Sequence, residues 1–118
     1  MVVEDDRDVR EAIAEILEDN DYRPISASNG QEALDRLRAG AIKPCVILLD
    51  IMMPVMDGWQ FRTHQRLDPQ LSSIPVIVLT AHANLVEAAS GMQAAASLKK
   101  PVQLDDLLSL VKRLCRCP

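Results

Sequence analysis

Aromatic residues are scarce in this sequence, with one Trp, one Tyr and one Phe among 118 residues. Any hydrophobic core must therefore be built from aliphatic side chains. Long apolar runs are also missing, and none approaches the ~20 residues that a membrane-spanning helix requires. The first six residues, MVVEDD, are acidic where a secretory signal would be basic, so a cytoplasmic location is expected.

Basic residues and cysteines are also few. The 13 basic and 17 acidic residues give a formal charge of -4, which argues against nucleic acid as a direct partner. The cysteines, Cys45, Cys115 and Cys117, are odd in number, and secretory features are lacking, so reduced thiols are expected. Because no second Cys or His pair lies near Cys115 and Cys117, a structural metal site there is not expected.

Apolar, strand-like runs alternate with segments of helical periodicity along the whole chain. Strands are predicted at 2–3, 23–27, 46–49, 75–79 and 95–98, and helices around 9–17, after Asn29 as far as Gly40, and at 58–67, 83–90 and 104–114. The run at 46–49 has no polar alternation, as expected of a parallel strand covered on both faces. Five strand–helix pairs predict a doubly wound α/β sandwich, with strand carboxyl ends and ligands at one edge.

Polar side chains follow four of these strands directly. They are Glu4, Asp5 and Asp6 after the first strand, Asp50 after the third, Thr80 after the fourth and Lys100 after the fifth. Taken singly, each has an ordinary interpretation as a helix start, a helix cap or a surface lysine. Their placement after successive strands predicts that they meet in one pocket.

The chemistry of this set points to a cation and a phosphoryl group. Clustered carboxylates repel unless a cation lies among them, and hard oxygen ligands suit Mg²⁺. An aspartate neutralised in this way is a plausible nucleophile toward phosphorus. Lys100 and Thr80 would then contact the phosphoryl oxygens, because such transfer depends on positioning and charge compensation.

Four stretches together resemble the receiver domains of two-component response regulators. They are VVEDD (2–6), LLDIMMPVMDGW (48–59), PVIVLTAHA (75–83) and KP (100–101). The resemblance covers residues 1–118 as one receiver domain and includes the single-domain kind used in chemotaxis. It implies a flavodoxin-like, three-layer fold with a parallel sheet in the order 2-1-3-4-5 and five helices.

The resemblance also implies the role of each site residue. Asp50 would accept a phosphoryl group from a phosphohistidine on a sensor histidine kinase or a histidine phosphotransfer protein. Asp5, Asp6, Asp50 and the backbone carbonyl of Met52 would hold Mg²⁺, while Thr80 and Lys100 would bind the phosphoryl oxygens. The Lys100–Pro101 peptide bond would be cis, as is typical of the family. Phosphorylation would change the conformation and thereby the affinity for a downstream partner that the sequence does not identify.

Several positions depart from the family pattern or keep two interpretations. Ser97 stands where an aromatic switch residue is usual, so the aromatic half of the conformational relay is missing. Only three residues precede Glu4, which indicates a short or trimmed first strand. His82 either orders the water that attacks the phosphorylated Asp50 or is a plain surface residue, and His64 is expected to be a surface residue.

Two alternative functions remain open. One is a pseudo-receiver that serves only as a docking or dimerisation surface, which the missing aromatic at Ser97 leaves room for. The other is an enzyme, a phosphatase with an aspartyl-phosphate intermediate. Such enzymes place a second Asp two residues after the nucleophile, but here that residue is Met52, so turnover is not expected. From the sequence given, no output domain is expected after the last helix, which would fit a stand-alone regulator, a phosphotransfer shuttle or a part of a hybrid kinase.

Overall fold

The protein is an α/β sandwich, described by a computed structural model at residues 1–40, 43–53, 55–81 and 93–115. Across these residues the elements are β1 (Val2–Val3), α1 (Arg7–Asp19), β2 (Ser26–Ala27), α2 (Gly30–Arg38), β3 (Ile47–Asp50), α3 (Gly58–Leu67), β4 (Val76–Thr80), β5 (Ala96–Lys99) and α4 (Leu104–Leu114). Of the five predicted helices, four are confirmed. The fifth, predicted at 83–90, lies outside the described residues.

All five strands run parallel in one sheet, in the order β2-β1-β3-β4-β5. The central strand β3 pairs with β1 on one side, Val2 opposite Leu48, and with β4 on the other, Leu48 opposite Ile77. This topology confirms the predicted fold class. It places the residues that follow β1, β3, β4 and β5 at one edge of the sheet.

Each face of the sheet carries its own aliphatic core. The first core includes Val3, Leu34, Leu49, Phe61 and Val78, beneath α2 and α3. The second includes Val2, Ile13, Leu48, Leu79 and Leu107, beneath α1 and α4. Every residue of β3 and of β4 is buried, which explains why the sequence of these strands is apolar without alternation. Over the described residues, none of the helices is long and apolar enough to cross a membrane.

Side chains of the sequence itself begin three of the helices. The carboxylate of Asp6 accepts hydrogen bonds from two N–H groups of α1, and Asn29 accepts one from Glu32 in α2. Asp57 and Gln60 form a reciprocal capping box at the start of α3. These caps fix where the chain turns from the site-bearing edge into each helix.

The buried face of α3 is partly polar. Gln65 is buried, and its side-chain amide donates to the carbonyls of Leu71 and Ile74 at 3.0 Å each. Its Oε1 accepts a hydrogen bond of 2.8 Å from Arg62, which also donates to the carbonyl of Gln93 at 3.0 Å. The helix therefore holds the loop before β4 through buried hydrogen bonds and the segment before β5 through a partly buried one.

The cysteines correct one prediction. Cys45 and Cys115, expected to be reduced, are joined by a disulfide with their Cα atoms 5.1 Å apart. Such a separation is ordinary for a disulfide. The fold brings together residues 70 positions apart in the sequence, and spacing alone does not reveal this. Cys117 lies outside the described residues.

Candidate functional site

Three carboxylates meet at the carboxyl edge of the sheet. Asp50 ends β3, and Glu4 and Asp5 follow the neighbouring strand β1. One carboxylate oxygen from each of the three lies within 4.8 Å of the others. Glu4 and Asp50 are only 1% and 4% exposed, whereas Asp5 is exposed. Of the three acids in the cluster, Asp5 is therefore the one that is open to solvent.

Lys100 neutralises part of this negative charge. Its Nζ donates to both carboxylate oxygens of Glu4 at 2.9 Å, and it lies 3.4 Å from Oδ1 of Asp50. Lys100 follows β5, two strands away from β3, so the lysine side chain reaches across the end of β4. The Lys100–Pro101 peptide bond is cis, as predicted.

The cluster changes the acidity of its members. Burial, together with the charge of Glu4, raises the pKa of Asp50 to about 7, although the charge of Lys100 opposes the shift. Burial lowers the pKa of Lys100, but its hydrogen bond to Glu4 and the charge of Asp50 outweigh this effect and raise it overall. Lys100 therefore stays protonated at neutral pH, while Asp50 is poised between its two forms.

The structure separates the two predicted metal ligands, Asp5 and Asp6. The sequence assigned Asp5 and Asp6 to the metal, but the Asp6 carboxylate accepts hydrogen bonds from the N–H groups of Asp8 and Val9 as the cap of α1. Glu4 takes its place in the cluster with Asp5 and Asp50. The two acids that lie with Asp50 in the structure are therefore Glu4 and Asp5.

Thr80 lies at the same edge, as its position after an apolar run predicts. It ends β4, which pairs with β3, and it is only 2% exposed. Its backbone carbonyl accepts a hydrogen bond of 2.7 Å from the N–H of Lys100. Thr80 thus joins the strand that neighbours Asp50 to the start of the loop that carries the lysine.

The loop after β3 folds closely around Asp50. The N–H of Met52 donates to Oδ1 of Asp50 at 3.3 Å, so the Met52 peptide lies beside the carboxylate, while the Met52 side chain is 61% exposed. A Cβ atom at Gly58 would lie 2.7 Å from the carbonyl oxygen of Asp50. Only glycine allows the loop to return this closely to the strand that it leaves.

Arg10 supports the acidic loop and was not predicted. Its guanidinium donates to the backbone carbonyl of Glu4 at 2.7 Å and to that of Asp5 at 3.4 Å. The side chain therefore fixes the backbone that presents both carboxylates. Its only sequence signal is its place one turn into the helix that follows the acids.

The remaining positions that the sequence singled out are Ser97, His64 and His82. Ser97 lies half-buried in β5, opposite Val78 of β4. His64 is exposed on α3, in agreement with its assignment to the surface. His82 lies outside the described residues.

The donor set suits a hard divalent cation. Three carboxylates in reach of one another, at least one of them open to solvent, match the preference of Mg²⁺ for one or two carboxylates and several waters. Glu4, Asp5 and Asp50 could hold such an ion, with the Met52 peptide beside them. The lysine that now bonds Glu4 shows that this site attracts positive charge.

Comparison with known proteins places this geometry in a family. The profile of the response regulator receiver domain matches residues 1–112. The response regulator MprA of Mycolicibacterium vanbaalenii is 36% identical over 118 residues, 98% of this chain and 49% of that protein. The chain thus spans about half the length of the curated relatives that it matches.

Solved structures agree with this assignment. The signal receiver domain of a signal transduction histidine kinase from Syntrophus aciditrophicus has a TM-score of 0.86 and 32% identity, covering 99% of this chain and 92% of that one. The chemotaxis protein CheY4 of Vibrio cholerae has a TM-score of 0.85 and 28% identity, covering 96% and 94%. With its 2-1-3-4-5 sheet and its acidic cluster at Glu4, Asp5 and Asp50, the chain belongs to the response regulator receiver domain family of two-component signalling.

Proposed function

We propose that Asp50 is the phosphoacceptor of this receiver domain. One observation carries the proposal: the Asp50 carboxylate is held at the sheet edge among two other acids, with the Lys100 ammonium 3.4 Å away. The carboxylate of Asp50 is already ordered, because it is buried at the end of a rigid central strand. Its oxygen can therefore react with phosphorus without a further loss of side-chain entropy in the reaction step. The neighbouring groups then compensate the charge that arrives.

The donor is proposed to be a phosphohistidine of a sensor histidine kinase or a histidine phosphotransfer protein. An oxygen of ionised Asp50 forms a bond to phosphorus as the bond from phosphorus to the imidazole nitrogen breaks, and the imidazole leaves. A kinase would form the phosphohistidine from ATP, which places this step in the cytoplasm. The product is an aspartyl phosphate on Asp50.

The charge of the incoming group needs cations and donors on several sides. When bound by Glu4, Asp5 and Asp50, Mg²⁺ supplies charge that offsets the phosphoryl oxygens. Lys100 exchanges part of its interaction with Glu4 for an ion pair with the phosphoryl group, and the Thr80 hydroxyl donates to another oxygen. This rearrangement changes the contacts of Thr80 and Lys100 at the ends of β4 and β5, and we infer that it alters the affinity for a protein partner.

The domain is proposed to act by binding and not by catalytic turnover. Met52, two residues after Asp50, offers no acid to protonate a leaving group, which argues against a phosphatase. Its peptide N–H instead donates to Asp50. Each phosphorylation event should therefore load one phosphoryl group and change the state of the protein.

Intact-mass spectrometry with phosphoramidate tests the phosphoacceptor. The full chain, incubated with and without Mg²⁺, is expected to gain a single phosphate only when Mg²⁺ is present. Asp50→Asn should gain none. Asp5→Asn and Asp6→Asn form a matched pair, because asparagine also caps helices well. Asp5→Asn is expected to lose the phosphate adduct, whereas Asp6→Asn is expected to keep it.

The outcomes separate the competing functions. A folded, Mg²⁺-treated chain that gains no phosphate would show a pseudo-receiver that serves only as a docking surface. A phosphate adduct that persists in Asp50→Asn would assign the acceptor to another residue. Continuous release of inorganic phosphate over many turnovers would instead identify a phosphatase.

A further inference from the structure

The disulfide between Cys45 and Cys115 lies at the end of the molecule opposite to Asp50. Cys45 precedes β3 at its amino end, whereas Asp50 forms the carboxyl end of the same strand. Cys115 caps α4, where its N–H donates to the carbonyl of Val111 at 2.7 Å. The bond therefore joins the cap of α4 to the segment that leads into the strand of the phosphoacceptor, at the end of that strand away from Asp50.

Both cysteines of the disulfide lie beside a cavity. Cys45 and Cys115 are half-buried, and both line a cavity of about 440 Å³ at this end of the sheet. A disulfide in a closed core exchanges only after unfolding, because the attacking thiolate must approach one of its sulfur atoms along the axis of the S–S bond. Here the cavity offers space for a small thiol or disulfide beside the bond.

Basic side chains outnumber acidic ones around this cavity. Arg23 and Lys43 line it together with the two cysteines, and Asp21 is the acid among the lining residues. Cationic surroundings stabilise a thiolate, which is the form that attacks a disulfide. The same cations attract an anionic reagent of the glutathione class.

We propose that Cys45 and Cys115 form a reversible thiol–disulfide site that is oxidised by a small-molecule disulfide of the glutathione class. The thiolate of one cysteine attacks the reagent, forms a mixed disulfide and releases one small thiol. The second cysteine attacks the protein sulfur of the mixed disulfide, forms the Cys45–Cys115 bond and releases a second small thiol. Two electrons and two protons pass from the protein to the reagent, so that the step balances.

We expect the disulfide to order the end of α4, whereas the packing of the rest of α4 does not depend on it. Leu107 and Val111 hold α4 against the second core whether or not the bond is present, since both are buried there. Leu114 and Cys115 are only half-buried, so the last turn depends on the tether. A cross-link over 70 residues also restricts the unfolded chain. Oxidation should therefore raise the melting temperature and order the last turn of α4.

Alkylation of the full chain after equilibration with oxidised or reduced glutathione tests this site. The number of cysteines that react with iodoacetamide is expected to fall from three in the reduced chain to one, Cys117, in the oxidised chain. Peptide mapping should join Cys45 to Cys115. Because Cys117 is the third thiol, Cys117→Ser should keep the change in mass and in melting temperature, and Cys45→Ser should lose both.

The results decide between a reversible site, a fixed staple and no bond. Three reactive cysteines in a folded, oxidised chain would overturn the proposal, as would a mapped bond that contains Cys117. A bond that reduced glutathione opens only after the chain unfolds would show a structural staple. The phosphoramidate reaction at Asp50 reports on the native fold in each sample, and it is expected to give the same phosphate adduct in both redox states.

Discussion

Burial sets the charge state of Asp50 in the absence of a divalent cation. An exposed aspartate is ionised at neutral pH, but here burial and the charge of Glu4 raise the pKa of Asp50 to about 7. The unfolded chain releases this proton near its ordinary pKa of 3.8, while the folded chain holds it. The folded state therefore binds more protons between these two values. The contribution of Asp50 to stability is fully present below about pH 4 and is lost as the pH rises to 7 and beyond.

We predict that Asp50→Asn is more stable than the parent chain at pH 8 and nearly equal to it at pH 4. The difference should be on the order of 2 kcal/mol, less than the rise of the Asp50 pKa from 3.8 to about 7 implies, because Asp5 leaves the cluster open to water. Urea unfolding in EDTA at both pH values measures it. Added Mg²⁺ should stabilise the parent chain more than the variant at pH 8. An equal difference at both pH values would contradict the assigned titration.

Chemistry alone could not choose between Glu4 and Asp6. The sequence predicted that acids follow β1 and face Asp50, but three consecutive carboxylates offer the same ligand type. The choice depends on where the chain turns into α1, since the residue that becomes the cap directs its carboxylate to helix N–H groups. Asp50, Thr80 and Lys100 were placed at this edge from sequence because each comes at or just after the end of a predicted strand.

At the scale of single elements, α3 shows why an apolar stripe can be missing from a buried helix. Gln65 lies on the core face but meets the carbonyls of Leu71 and Ile74 and the guanidinium of Arg62. These contacts replace the aliphatic packing that the helical pattern normally predicts. The helix was predicted at Gly58–Leu67 from its context, and the structure gives the same bounds.

We predict that Gln65→Met lowers the free energy of unfolding by about 2–4 kcal/mol, although methionine matches the length of glutamine. The variant would remove the buried hydrogen bonds of position 65 to the Ile74 carbonyl and to the Arg62 guanidinium, while the Leu71 carbonyl would keep its bond from the N–H of Ile74. Urea denaturation measures the loss. His64→Met is the matched control on the exposed face of the same helix and should change stability by less than about 0.5 kcal/mol. Equal stability of both variants would show that the buried bonds contribute nothing.

The strands show a similar limit of sequence patterns. The apolar runs predicted β3, β4 and β5, yet in the structure each ends one residue later than predicted, on Asp50, Thr80 and Lys99. The backbone keeps its pairing although the side chain has turned polar, as Thr80 opposite Lys99 shows. Periodicity detects the buried part of a strand, whereas hydrogen bonds between strands decide where it ends.

At the scale of the whole molecule, alternation of strands and helices determined the layers but not the strand order. The order β2-β1-β3-β4-β5 came from the resemblance of motifs, because any doubly wound sheet has the same local pattern. The disulfide shows the same limit of what local sequence patterns can predict. Cys45 and Cys115 become neighbours only when β3 and α4 pack on one core, which no local signal encodes.

Hydrogen exchange of the full chain should report how stability is distributed over this architecture. Every residue of β3 and β4 is buried, and each strand pairs on both sides. In contrast, within the described part of the chain β5 pairs with β4 alone, and none of its four residues is buried. Opening β3 or β4 requires breaking both cores, whereas β5 can separate by losing one ladder.

We therefore predict that the amides of β3 and β4 exchange slowest, at rates close to those set by global unfolding, and that those of β5 exchange at least about tenfold faster. Mass spectrometry of peptides after deuterium labelling gives these rates, and labelling in denaturant supplies the intrinsic rate of each peptide. Equal protection of β4 and β5 would mean that the edge strand unfolds only with the whole domain. In that case phosphorylation of Asp50 could not move β5 by local opening of that strand. The conformational response to phosphorylation would then have to arise in the loops alone.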